Sequence, residues 1–129
     1  MKKYCLSASL CFMAMAFANY AEAAKPFEGI WAETQAECLD KEGPNTRTLI
    51  DLANKENGKP LPIFDQYEWH CKVLKADGND TKTTLQLRCF EFWEYLENGT
   101  DGTDAEVVLM PESKQTLSID GHKFVRCKD

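Results

Sequence analysis

"YEWHCKVLKADGNDTKTTLQLRCFEFWEY", residues 67–95, decides the fold of this chain. Its centre, residues 77–81, is a run of Asp, Gly, Asn and Thr, the residues that reverse a chain between strands. The flanks have the period-two character of half-buried strands. They predict an antiparallel hairpin, with one strand over residues 65–74 and a longer one over residues 83–95. Centring the turn on Asp80 sets Cys71 opposite Cys89 and Val73 opposite Leu87. One face then carries Tyr67, Trp69, Cys71 and Val73 against Leu85, Leu87, Cys89, Glu91, Trp93 and Tyr95, and it belongs to a core. The other carries Glu68, His70, Lys72 and Leu74 against Gln86, Arg88, Phe90, Phe92 and Glu94. Glu91 is the misfit, because a carboxylate among core aromatics needs a partner or a route to water. It marks the rim of a cavity, or a bulge that swaps the faces beyond it.

The same punctuation extends along the chain. "FEGIWAE" (27–33) and "TRTLIDLA" (46–53) read as strands, as do residues 105–110, 116–119 and 122–127. Between the first two, Thr34 opens "TQAE", an N-terminal capping box that starts a single helical turn over residues 35–40. Gly43-Pro44-Asn45 breaks that turn. No segment sustains a 3.6-residue apolar period, which disfavours a helical bundle. The expected fold is mainly β: a small antiparallel barrel or curved sheet of about seven strands, with one short helix.

The N-terminus reads as an export signal. Lys2 and Lys3 precede an apolar run from Cys5 to Phe17, and Ala21-Glu22-Ala23 matches a signal-peptidase site. The run is shorter than the roughly 20 residues that span a bilayer. Leu10 before Cys11 does not fit a lipidation box. The expected organisation is a signal peptide over residues 1–23 and a single exported domain over residues 24–129, periplasmic or secreted. Without Lys2, Lys3 and Glu22 that domain has 13 Lys and Arg against 20 Asp and Glu, a net charge of −7. Such a surface repels nucleic acid and anionic lipid and attracts cations and basic proteins.

Four cysteines remain in the domain: Cys38, Cys71, Cys89 and Cys127. In a small exported chain an even number predicts two disulfides. Zinc ligands usually pair within two to four residues, and the nearest two here, Cys71 and Cys89, are far outside that spacing. The hairpin register suggests Cys71–Cys89 with Cys38–Cys127. Cys38–Cys71 with Cys89–Cys127 remains open on the sequence alone.

Catalytic chemistry has little support. His70 reads as a half-exposed strand residue and His122 as a turn residue, while Ser113 and Ser118 lack the strand-turn-helix setting of a nucleophile elbow. Carboxylate pairs such as Glu91 with Glu94 are abundant, but a domain this small leaves little room for a sugar cleft. The candidate binding residues are His70, Phe90, Glu91, Phe92 and Glu94. Phe90 and Phe92 sit on the polar face of the hairpin, where they are either covered by a helix or loop or form an aromatic interaction patch. A second reading places calcium in the acidic turn, with oxygen ligands from Asn98, Asp101, Asp104 and Glu106. The spacing departs from the EF-hand loop, and no cofactor is expected.

Phe27, Gly29 and Trp31 form an F-x-G-x-W stretch that resembles the opening of lipocalin-like barrels. That resemblance implies a barrel whose Trp31 packs against an arginine of the last strand, a role that falls to Arg126 in "FVRC". A Gly-x-Trp followed by Cys38 is also similar to the small secreted bacterial metalloproteinase-inhibitor barrels. Taken whole, the chain resembles the uncharacterised small exported cysteine-containing proteins of proteobacteria, a likeness that implies no function. The sequence reading is therefore a non-catalytic binding protein, inhibitor-like or small-ligand-binding, with a calcium-binding structural role as the alternative.

Overall fold

The computed structural model describes residues 24–128, so the expected signal peptide over residues 1–23 lies outside the described residues. In chain order the elements are β1 (Gly29–Ala32), α1 (Gln35–Leu39), β2 (Thr48–Asp51), β3 (Lys55–Glu56), β4 (Lys59–Pro60) and β5 (Ile63–Gln66). They continue with β6 (Trp69–Gly78), β7 (Thr83–Phe90), α2 (Trp93–Asn98), β8 (Thr103–Pro111), β9 (Thr116–Ile119) and β10 (His122–Arg126). Eight strands close into an antiparallel barrel in the order β1-β10-β9-β8-β7-β6-β5-β2, and β3 with β4 forms a separate two-stranded ribbon. Closure gives each barrel strand a neighbour on both sides, although residues 103–107 of β8 pair only with β7.

The β6–β7 register agrees with the sequence reading: Cys71 faces Cys89 and Val73 faces Leu87. A bulge between Val73 and Lys75 shifts the register by one, so that Lys75 rather than Leu74 pairs with Gln86, and Leu74 is exposed. The disulfides are Cys71–Cys89 and Cys38–Cys127. The first staples the hairpin from inside the barrel. The second joins α1 to the residue after β10, beside the seam where the first and last strands pair. Such bonds persist in oxidising compartments. Among the described residues no helix is long and apolar enough to cross a membrane.

Two expected strands need correction. The segment read as one strand over residues 65–74 is two, because the chain reverses at Tyr67-Glu68 and Gln66 pairs with Trp69. Glu68 adopts φ 51°, a left-handed conformation usually signalled by Gly or Asn, so no sequence cue announces the turn. The strand read over residues 83–95 ends at Phe90, and residues 93–98 form a second helix instead. Trp93 and Leu96 share a face of that helix at i, i+3, and Trp93 Nε1 donates to Glu97 Oε1 at i, i+4 (2.9 Å). Gly99, at φ 67°, ends the helix and donates its N–H to the Tyr95 carbonyl. Trp93 and Tyr95 are consequently not core residues of the barrel. Glu91 lies beyond the strand end, exposed, which removes the misfit.

Strand alternation fills the barrel with Trp31, Ile50, Phe64, Leu85, Leu87, Leu109 and Leu117, all buried. Its two ends differ. At one, the Arg126 guanidinium lies 4.2 Å over the Trp31 ring, the contact that the F-x-G-x-W resemblance implies. The same guanidinium donates to the carbonyls of Glu28 (2.9 Å), Pro26 (3.1 Å) and Lys114 (2.8 Å). Gly29 makes this approach possible. A Cβ there would stand 2.4 Å from Arg126 Nη1.

Candidate functional site

An open groove of about 460 Å³ lies on the outer surface where three connections converge. The α1–β2 loop supplies Asp40, Lys41, Glu42 and Arg47, the β5–β6 hairpin Asp65, Glu68 and His70, and the β7–α2 junction Glu91, Phe92 and Glu94. Each wall has a local cause. Asp40, the residue that ends α1, accepts from the amides of Glu42 (3.2 Å) and Gly43 (3.1 Å), which folds the loop back on itself. These two amide bonds, Gly43 first, hold the Asp40 carboxyl below the usual carboxylate range. Gly43 in turn packs closely against the Tyr67 ring, where a Cβ would come within 2.5 Å of Cδ2.

On the other side, Asp65, His70 and Phe90 form a cross-strand row on the outside of the barrel. His70 Nδ1 bonds the Asp65 carboxylate, fixing the imidazole plane. Trp93 of α2 meets that ring edge-on, with centroids 5.7 Å apart at 86°. Helix α2 is thus docked through an aromatic contact above and Leu96, buried, below.

Four of the five expected binding residues come together here: His70, Glu91, Phe92 and Glu94 all line the groove. Phe92 is 49 % exposed and packs edge-to-face with Tyr95, itself 41 % exposed. Phe90 does not join them. At 2 % exposure it lies sealed beneath the segment after α2, where Gly102 sits so close that a Cβ would fall 2.7 Å from the Phe90 ring. Phe90 is therefore a packing residue on the barrel exterior, covered by the loop. Sequence reasoning misses Asp65, Tyr67 and the 40–47 loop as parts of the groove. The Tyr67-Glu68 reversal that brings them there carries no turn signal.

The acidic turn is dispersed. Asp104 pairs with Arg88 (2.8 Å), Glu106 accepts from Gln86 (2.8 Å), and Asn98 ends α2. Among the described residues no group of three or more His, Cys, Asp or Glu side chains is placed to hold a metal ion, so the structure does not bring the four expected calcium ligands together.

The lining chemistry defines the groove's character. Among the described residues, six carboxylates (Asp40, Glu42, Asp65, Glu68, Glu91 and Glu94) face only Lys41 and Arg47 as full cations, beside an exposed aromatic edge. No serine, threonine or cysteine among the described residues lines the groove. The molecule is a closed, doubly disulfide-bonded antiparallel barrel with an acidic, aromatic-rimmed exterior groove. No protein-family model, curated protein or solved structure matches the chain.

Proposed function

We propose that this is a non-catalytic binding protein of the periplasm or the secreted fraction, and that it engages a protein partner through the exterior groove. A basic segment of the partner lies along the carboxylates, and an apolar side chain beside it rests on Phe92 and Tyr95. The observation that carries this reading is the coincidence of solvent-exposed aromatics with a strong excess of negative charge in one concavity. Exposed aromatic patches mark interaction surfaces. Charge complementarity speeds encounter and selects the partner. The exterior position of the groove suits a protein partner, the inhibitor-like branch of the sequence reading. Export to an oxidising compartment accords with the two disulfides.

The test is capture from a periplasmic extract with oxidised, immobilised protein, run beside Phe92→Ala/Tyr95→Ala and Glu91→Lys/Glu94→Lys variants. A partner retained by the unaltered protein is lost by both variants, and elutes with rising salt as exposed charges are screened. Both substitutions are on the surface, so the melting temperature moves by less than about 3 °C. Equal retention by all three proteins would refute the groove as the interface.

A further inference from the structure

The end of the barrel opposite Arg126 is open, and we infer that it binds a small organic amine with an apolar body. Strand alternation turns Gln66, Trp69, Ala105 and His122 inward at this end, above a floor of Phe64, Val107, Ile119 and Phe124, and Glu33, exposed just past the end of β1, joins the rim. The opening has a topological origin. The β9–β10 hairpin reverses at Asp120-Gly121 beside Val108, where the Asp120 amide donates to the Val108 carbonyl (2.9 Å) and Asp120 Oδ1 accepts from the Val108 amide (2.8 Å). Strand β8 begins at Thr103, so residues 103–107 rise past that turn with their inner face uncovered on one side. Ala105, the small residue at this level, leaves room. The resulting mouth encloses about 390 Å³. That lies within the range of small-molecule sites, which occur in the mouths of barrels.

The lining selects the ligand. Its depth is apolar, and Trp69 forms part of the wall. At the rim are the carboxylates Glu33, Glu106 and Asp120 with His122, and among the described residues neither lysine nor arginine lines the mouth. Glu106 is engaged by Gln86 and Asp120 by the Val108 amide. The Glu33 carboxylate has no hydrogen-bond or ion-pair partner among the described residues, which makes it the counter-ion available to an incoming cation. An anionic ligand meets three rim carboxylates and is repelled. A ligand with a single ring or a short alkyl chain fills the apolar floor.

The test is a titration of the ¹⁵N-labelled oxidised protein with 2-phenylethylamine, alongside 2-phenylethanol and 3-phenylpropionate as neutral and anionic matches. The expected result is saturable shifts at the Trp69 indole and the Ala105 and Val107 amides, with the alcohol weaker by at least about tenfold and the acid not binding. Glu33→Gln, an exposed change, weakens the amine by about tenfold without altering the rest of the spectrum. Ala105→Phe fills the mouth and abolishes the shifts; if that variant does not fold, Glu33→Gln decides alone. Absence of saturation, equal affinity for amine and alcohol, an unchanged Glu33→Gln affinity, or shifts confined to Phe92 and Glu94 in the exterior groove would each overturn the inference.

Discussion

Removing the Cys38–Cys127 bridge tests how the barrel seam is held. Cys38 and Cys127 are 89 positions apart, and the chain-entropy relation for a closed loop of that size gives about 4.6 kcal/mol of stabilisation. The same relation gives about 3.2 kcal/mol for Cys71–Cys89, 18 positions apart. In the native state the seam keeps its other links: the β1–β10 ladder, the Cys127 amide on the Ile30 carbonyl (2.8 Å), and the three Arg126 bonds. The double variant Cys38→Ser/Cys127→Ser is therefore expected to fold with an unchanged near-ultraviolet circular dichroism spectrum. Its cost falls on the unfolded side, where a long loop is released. Urea unfolding under oxidising conditions should show a midpoint lower by about 2–4 M, taking a slope typical of a small domain, and a steeper slope because the unfolded chain expands. A stability of 5–15 kcal/mol is usual for a domain, so the variant is left marginal. A loss below about 1 kcal/mol with an unchanged slope would refute the entropic account, and would mean that the ladder and Arg126 hold the ends in the unfolded ensemble as well.

Three further outcomes follow from burial, close approach and charge. Phe90→Ala should destabilise by about 3–5 kcal/mol, whereas Phe92→Ala should stay within about 0.5 kcal/mol in the same urea experiment. Equal costs would mean that the segment around Gly102 does not seal Phe90. Gly29→Ala places a methyl 2.4 Å from Arg126 Nη1 at φ 135°, and should cost more than about 1 kcal/mol while changing the tryptophan near-ultraviolet signal as the guanidinium leaves Trp31. The Asp40 carboxyl is lowered in the folded state by the Gly43 and Glu42 amides, so its contribution is present above the unfolded value and is lost as pH falls through the folded one, within the acid range below about pH 4. Carbon-detected NMR should show Asp40 titrating below the ordinary aspartate range, and Asp40→Asn should remove that acid-dependent change at the Gly43 amide.

Contacts between near neighbours in the chain are legible in the sequence alone. The β6–β7 register, including Cys71 opposite Cys89, follows from two alternating runs around one turn, because pairing across a tight reversal leaves few registers. The α1 capping box is equally local: Thr34 Oγ1 accepts from the Glu37 amide (3.2 Å), as the "TQAE" spacing predicts. The Trp31–Arg126 contact is expected only through resemblance to known barrels. The strand end after Phe90 is misplaced by the sequence reading because "FEFWEY" alternates like a strand, while the helix signals at Trp93, Leu96 and Gly99 follow a competing period.

The sequence by itself determined the β class, the number of sulfur bridges, the excess of negative charge and four residues of the exterior groove. These depend on composition and on patterns a few residues long. Only the tertiary structure decided that the sheet closes, that Phe90 is covered while Phe92 is bare, and that the short β9–β10 hairpin leaves one end of the barrel open. Each of those is a contact between groups far apart in the chain, as when Gly102 lies on Phe90 or Arg126 comes against Gly29. Whether a side chain faces solvent depends on which distant segment arrives to cover it, and no local period encodes that arrival.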